Sequence, residues 1–240
     1  MFDFLNNSKD KRIENNIKLF SIHIPKTAGT SFRKSLKEIY GESKVKRFDL
    51  NTHKFHLDES PFTAKKMSNK IEVLHGHMRY DMLIEKFILK ERTPVITWLR
   101  DPVERVISNY LYLSKRLGDE LDEERKGLNI LKKMQRTLME YAHDEFNQNR
   151  MSKFLSGIKL EDIFFIGITE YYSEDLNDLA KLLHWKNVDE FKVNITDKKA
   201  YAINEDEKLI IRKLNSKDEE LYQKALLLRQ KRISEILKNF

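Results

Sequence analysis

The segment from residue 17 to residue 41 restricts the possible folds of this chain more than any other. It begins with IKLFSIHI at 17–24, an apolar, β-branched run that is typical of a buried strand. The loop PKTAGTS at 25–31 follows directly, and apolar residues at helical spacing from Phe32 to Tyr40 then predict a helix that ends at Gly41. A strand, a short loop and a helix in this order indicate an α/β protein.

Later segments repeat this alternation of strands and helices. Further strands are predicted at 71–74, 94–99 and 163–168. Helices are predicted from Asp101, an N-cap followed by a proline, to about Leu117, over much of 119–145, and from a Ser173 cap to Trp185. The pairs Asn204 with Glu207 and Ser216 with Glu219 have the spacing of capping boxes and predict two C-terminal helices.

These elements predict an α/β fold: a three-layer parallel sheet with a P-loop-like phosphate-binding loop and a helical C-terminal segment. The sequence has no internal repeat and no flexible linker. We therefore expect one domain over residues 1–240, with 1–16 as an N-terminal extension and 203–240 as C-terminal helices.

Composition excludes several classes of protein. The chain has no cysteine, which excludes disulfides, thiolate catalysis, zinc fingers and iron–sulfur clusters. Without a signal peptide or a long apolar run, we expect no transmembrane segment and a cytoplasmic location. The formal net charge of +7 is compatible with an anionic ligand, a nucleic acid or an anionic glycan as a partner. A generally lysine-rich proteome would explain the charge equally well.

Polar side chains follow three of the predicted strands. Ligands of open α/β sheets bind at the carboxyl ends of the strands, so the loops after the strands at 17–24, 71–74 and 94–99 should meet in one crevice. The first loop, residues 25–31, is called the cradle loop below; it places a lysine, a glycine and hydroxyls at a helix N-terminus, where anions bind. It is not a Walker A loop, because Lys26 precedes the turn instead of standing directly before a Ser or Thr. An ordinary capped turn is the alternative.

Three motifs, in this order along the chain, resemble a known family. HIPKTAGTSF at 23–32, HGH at 75–77 and LRDPVERVISNYLY at 99–112 are similar to the carbohydrate sulfotransferases that use 3′-phosphoadenosine 5′-phosphosulfate (PAPS), in particular the heparan sulfate 2-O-sulfotransferase group and its soluble bacterial relatives. Weaker matches at 164–170, 194–199 and 221–226 extend the resemblance to nearly the whole chain.

The resemblance implies a set of donor-binding residues. Lys26 would neutralise charge on the leaving phosphate, and Arg100 and Ser108 would bind the 3′-phosphate. The alternatives are an ion pair of Arg100 with Asp101 or Glu104 and a solvent-facing Ser108. The remaining donor contacts would come from the cradle loop and a C-terminal loop: Thr27, Ala28, Gly29, Thr30, Ser31, Thr196, Lys198 and Lys199.

The resemblance also assigns the general base. His77 would accept the proton of the acceptor hydroxyl, with His75 as a supporting or orienting group. An H-x-H metal pair and plain hydrogen-bonded strand-end histidines are the alternatives, and we predict no metal site. His23 is expected to be a satisfied core histidine and Arg105 a surface charge.

The expected function is sulfuryl transfer from PAPS to an acceptor hydroxyl by in-line displacement, with no metal required. The acceptor would be a glycan, a glycolipid or a small alcohol, and PAP (3′,5′-ADP) would be the product. Two alternatives use the same residues: a P-loop-type nucleotide or small-molecule kinase, and a non-catalytic polyanion- or nucleic-acid-binding protein. We expect no nucleic-acid partner, since the sequence has no RNA-binding or helix-turn-helix signature.

Overall fold

The computed structural model describes residues 12–51, 54–90, 93–121, 136–186 and 203–238. Within them a seven-stranded sheet has the order β4-β3-β2-β5-β1-β6-β7. Its strands are β1 (Leu19–Ile22), β2 (Val45–Asn51), β3 (Lys54–Leu57), β4 (Ser60–Pro61), β5 (Val73–Gly76), β6 (Val95–Leu99) and β7 (Phe165–Ile168). The neighbours from β2 to β7 are parallel, and β3 and β4 extend one edge in antiparallel register.

Helices follow β1, β5, β6 and β7 along the chain. They are α1 (Gly29–Tyr40), α2 (Tyr80–Lys86), α3 (Pro102–Leu121), α4 (Leu138–His143), α5 (Arg150–Phe154), α6 (Tyr172–Leu182), α7 (Glu205–Leu214) and α8 (Ser216–Lys238). Short 3-10 turns lie at Leu160–Asp162 and Thr169–Tyr171, on either side of β7.

Helices cover both faces of the sheet. Leu19 of β1 packs in a core with the apolar residues of α1 and α6, whereas its neighbour Phe20 packs in a second core with residues of α2, α5 and α8. Adjacent residues of a strand point to opposite faces, so a strand buried on both sides is mostly apolar, as LFSI of β1 is. The predicted three-layer α/β architecture is confirmed.

The sequence prediction missed the strands at one edge of this sheet. β2, with the sequence VKRFDLN, mixes apolar and charged residues. The next two strands, β3 and β4, are short, and their residues are exposed or only partly buried. None of the three has the apolar run of a buried strand. Only β2 pairs in parallel with the central strands. The sheet is therefore parallel in its centre and mixed at this edge, where the prediction was parallel throughout.

Two helix predictions were wrong in detail. A single helix over 119–145 is contradicted by Thr137, whose hydroxyl accepts a hydrogen bond from the backbone N–H of Glu140 and begins α4 in a capping box. Residues 119–121 belong to the end of α3, and 122–135 lie outside the described residues. The helix predicted from Ser173 begins one residue earlier, after Tyr171, and ends at Leu182.

Arg105 is not a surface charge. Its side chain is fully buried, its Nη2 donates to the carbonyl of Asn147 at 3.1 Å, and its Nε lies 4.0 Å from Oδ2 of Asp218 on α8. The predicted surface position fails because α8 and the segment before α5 cover this side of α3. The helical spacing of α3 alone does not reveal that cover.

Candidate active site

The loops after β5, β1 and β6 meet at the carboxyl edge of the sheet, as predicted. These three strands are neighbours, with β1 in the middle. The loop after β1 contacts both others: the His23 carbonyl lies 2.8 Å from Nδ1 of His77, and the Lys26 carbonyl accepts a hydrogen bond of 3.3 Å from Nη1 of Arg100. The three motifs therefore form one cluster.

The cradle loop presents the start of α1 to an anion. Ala28 is the N-cap residue in a left-handed conformation, with φ 65°, and no side chain of the described residues caps the helix. The first turn of α1 has no acidic residue. The first N–H groups of a helix need partners and attract negative charge, so this uncapped start is suited to a phosphate.

The hydroxyls of the cradle loop differ in their availability. Thr27 is buried, and its Oγ1 donates to the Ile24 carbonyl at 2.9 Å, so this hydroxyl stabilises the loop itself. Thr30 is exposed and Ser31 is half-buried. Thr27 can therefore offer a ligand its backbone N–H, while Thr30 and Ser31 can also offer their side chains.

Lys26 is held close to α3. Its Nζ lies 4.3 Å from the centre of the Tyr112 ring, a cation–π contact that the sequence analysis did not foresee. Burial and the neighbouring Arg100 charge lower the pKa of the Lys26 ammonium. An anionic ligand beside Lys26 would stabilise its charged form, because the ligand's charge would offset both the desolvation of the ammonium and its repulsion by Arg100.

Arg100 and Ser108 approach the cradle loop from β6 and α3. Nη2 of Arg100 lies 3.4 Å from the half-exposed carboxylate of Glu104, the ion pair considered as its alternative role. Ser108 stands four residues after Glu104 and four before Tyr112, so all three share a face of α3. Since Glu104 and Tyr112 contact Arg100 and Lys26, that face is turned to the cradle loop.

Asp101 begins α3 as predicted. Its Oδ1 accepts hydrogen bonds from the backbone N–H groups of Val103 and Glu104 at 2.9 and 3.0 Å. Its Oδ2 pairs with Arg212 at 3.3 Å. Asp101 is thus committed to the helix start and to α7.

His77 is half-buried and fixed at two points. Its Nδ1 contacts the His23 carbonyl, and its backbone N–H donates to Oδ1 of Asp49 at 2.7 Å. Asp49 is buried and pairs with Arg47 at 2.5 Å. Burial is the main cause that lowers the pKa of His77, while the Asp49 charge acts in the opposite direction. Sequence analysis missed Asp49 because it missed β2.

His75 and His23 form a stack with His77. His75 is 2% exposed, and its Nδ1 lies 2.9 Å from the hydroxyl of Ser21, while burial lowers its pKa to about 3. The His23 ring stacks on both of the other imidazoles, with ring centres 4.9 Å from His75 and 4.3 Å from His77. We expected His23 to be a satisfied core histidine; it is half-buried and is part of the histidine cluster.

The predicted donor loop near the C-terminus lies outside the described residues; it contains Thr196, Lys198 and Lys199. Over the described ranges, no group of three or more His, Cys, Asp or Glu side chains is arranged to hold a metal ion. In the same part of the chain no helix is both long and apolar enough to cross a membrane.

The chain is similar in sequence to curated sulfotransferases. Human heparan sulfate 2-O-sulfotransferase 1 is 31% identical over 105 residues, which cover 40% of this chain and 29% of that protein. The protein-tyrosine sulfotransferase of Arabidopsis thaliana is 34% identical over 106 residues, covering 43% of this chain and 18% of its own length. The chain thus spans less than a third of the length of these curated relatives.

Two solved sulfotransferase structures and one family model also align with this chain. Mouse sulfotransferase SULT7A1 complexed with PAP aligns with a TM-score of 0.43 and 12% identity over 86% of this chain and 66% of its own. A sulfotransferase from Alicyclobacillus acidocaldarius aligns with a TM-score of 0.40 and 12% identity over 85% of this chain and 92% of its own. The model of the sulfotransferase family matches residues 9–240. Since that match takes in nearly every residue, the chain belongs to the sulfotransferase family.

Proposed function

We propose that this protein transfers the sulfuryl group of PAPS to the hydroxyl of an acceptor, which we infer to be a carbohydrate or a glycolipid. One observation supports this most: Lys26, Arg100 and His77, from three separate motifs, meet at the uncapped N-terminus of α1. This arrangement offers cations and N–H groups for a doubly phosphorylated nucleotide and a base for a hydroxyl.

The donor would bind along the cradle loop. The N–H groups of Thr27, Ala28, Gly29, Thr30 and Ser31 would hold the 5′-phosphate, with Lys26 beside the bridging oxygen. Arg100 and Ser108 would bind the 3′-phosphate, and Thr196, Lys198 and Lys199 would complete the donor site. The Arg100–Glu104 contact is long and partly exposed, and such pairs contribute only about 0–1 kcal/mol, so a phosphate can replace Glu104.

The transfer itself would be an in-line displacement at sulfur. The acceptor oxygen forms a bond to sulfur as the bond between sulfur and the 5′-phosphate oxygen breaks, and PAP leaves with the electron pair. Lys26 stabilises the charge that develops on that phosphate. The hydroxyl proton passes to a base.

His77 is the proposed base. If its Nδ1–H donates to the His23 carbonyl, its Nε2 holds the lone pair that can accept a proton. The lowered pKa keeps this imidazole neutral at pH 7. His75 is too buried to contact an acceptor, which supports an orienting role for it.

Two observations favour a glycan as the acceptor. Relatives of this chain include heparan sulfate 2-O-sulfotransferases, and the net charge of +7 suits an anionic glycan. A protein-tyrosine sulfotransferase is also among them. An acceptor screen should therefore compare a glycan, a glycolipid, a simple alcohol and a tyrosine peptide, and we expect turnover with the first two.

Calorimetric titration tests the donor. PAP should bind 1:1 and at least about tenfold more tightly than ADP in the presence of a chelator, because a charged hydrogen bond to the 3′-phosphate contributes about 1.5–3 kcal/mol. Arg100→Ala should remove most of this preference. Tighter binding of ATP with magnesium than of PAP would indicate a kinase instead and overturn the proposal.

Substitution of His77 tests its role as the general base. His77→Ala should bind PAP like the wild type but lose turnover by about 10²–10⁴-fold, the usual contribution of a general base. Near-normal turnover of His77→Ala would show that the proton goes elsewhere.

A further inference from the structure

We propose that His23 is a positioning residue: its imidazole forms a wall that holds the base His77 in place and connects it to the cradle loop. The role in catalysis rests on the proposed function, whereas the contacts that define the wall do not.

Both the ring and the backbone of His23 touch His77. The two imidazoles stack with their centres 4.3 Å apart and their planes 28° apart. The His23 carbonyl lies 2.8 Å from Nδ1 of the same residue. A ring that is held on one face and at one nitrogen has little freedom to rotate, so its second nitrogen keeps one direction.

The His23 ring also stacks on His75. These rings have centres 4.9 Å apart with an interplanar angle of 24°, and His75 is anchored by Ser21 in the buried sheet. Through His75 the His23 ring therefore contacts the buried ends of β1 and β5. A shift of the His23 ring would alter its contacts with both histidines.

The edge of the His23 ring meets the first residue of α1. A Cβ atom added to Gly29 would lie 1.9 Å from Cδ2 of His23 and 2.0 Å from its Nε2, far inside contact distance. Glycine at position 29 thus makes room for this ring. One side chain therefore touches both the proposed phosphate site and the proposed base.

The charges around the stack favour neutral imidazoles. His23 faces His75, His77, Arg47 and Lys26, and all of them oppose its protonation in addition to its burial. His77 faces Asp49, which favours protonation, and Arg47 and Arg150, which oppose it. Loss of the His23 ring would admit water to His77 and weaken the effect of burial, so the pKa of His77 should rise.

The test uses two substitutions of His23 in the full chain. His23→Ala removes the wall, and His23→Phe keeps a flat ring. NMR titration of the histidine side chains, with the His77 signal assigned from its loss in His77→Ala, measures the pKa of His77 without reference to activity. We expect His23→Ala to shift this pKa upward toward the ordinary value of about 6.5 and His23→Phe to leave it low.

Kinetics supply the second measurement. His23→Ala should lower kcat by about 10- to 100-fold, the effect of misplacing a reacting group, with the affinity for PAP nearly unchanged. The acidic limb of its kcat/KM profile should move to higher pH, and His23→Phe should restore the wild-type profile. Wild-type kcat and an unshifted His77 titration in His23→Ala would overturn the proposal.

Gly29→Ala is a check that does not need His23→Ala to fold. Its methyl group should displace the His23 ring and shift the pKa of His77 upward as well. An unshifted His77 titration in Gly29→Ala would contradict the contact. Where His23→Ala folds, adding Gly29→Ala to it should produce no further shift. If the wild type neither binds PAP nor transfers sulfate, the proposed function fails, and the titrations still decide whether His23 shields His77.

Discussion

At the scale of single residues, the cradle loop holds an unusual backbone. Lys26 and Ala28 have φ angles of 70° and 65°, in the left-handed region that residues other than glycine seldom adopt. Each costs about 1 kcal/mol or more, and such strain is found where a fixed geometry serves a function. In this loop it directs the Lys26 carbonyl to Arg100 and leaves the first N–H groups of α1 uncapped.

The Lys26 side chain can be tested separately from this backbone. Lys26→Ala should lower kcat by about 10²–10³-fold, because it removes a cation that acts mainly on the charge of the transition state. Lys224→Ala is the control: Lys224 is half-exposed on α8 and pairs with Glu161 at 2.8 Å. Steady-state assays of both variants should separate them, and equal losses would indicate a general charge effect.

At the scale of elements, α8 fixes the N-terminus of α5. Asp218 is fully buried and accepts hydrogen bonds from the backbone N–H groups of Met151 and Ser152 at 3.0 and 2.7 Å, and it also faces the buried Arg105 of α3. One carboxylate therefore joins three helices. A helix far along the chain therefore supports the side of α3 that contains Arg105.

Removal of this carboxylate should be costly. Asp218→Ala should lower the free energy of unfolding by about 3–5 kcal/mol, because it leaves Arg105 buried without a counter-charge. Glu235→Gln, which breaks the exposed Lys231–Glu235 pair on the same helix, should change it by at most about 0.5 kcal/mol. Urea unfolding measures both values. A loss below about 1 kcal/mol for Asp218→Ala would show that Arg105 finds another partner or water.

At the scale of the whole molecule, the histidine stack makes stability depend on pH. The pKa of His75 is about 3 in the fold and about 6.5 in the unfolded chain, so between these values the unfolded chain binds a proton that the folded one does not. The stability that the fold gains from a neutral His75 is fully present above pH 6.5 and is lost as the pH falls toward 3. The lowered pKa values of His23 and His77 act in the same direction.

We therefore expect the free energy of unfolding to decrease on mild acidification. From pH 6.5 to pH 5 the loss from His75 alone should be about 1.6 kcal/mol. His75→Gln should reduce the slope by about one proton relative to the wild type. Denaturation at a series of pH values gives both slopes, and an unchanged slope in His75→Gln would show that burial does not hold its imidazole neutral.

Local patterns were sufficient for the centre of the sheet and for the three motifs of the candidate site. Buried parallel strands are nearly continuous apolar runs, so β1, β5, β6 and β7 stand out in the sequence. The polar motifs that follow three of these strands place Lys26, Arg100 and the HGH histidines at one edge. Helix starts with a capping side chain, such as Asp101 and Asn204, were equally visible. These features depend on residues that are close together in the chain.

Other features depend on residues that are far apart in the chain, and only the tertiary structure decided them. Arg105 is buried because Asp218 of α8 and Asn147 face it, Asp49 reaches His77 because β2 lies beside β5, and the His23 ring is enclosed because three loops converge on it. Burial of a charge or stacking of a ring is set by what packs against it. No spacing within a single segment contains that information.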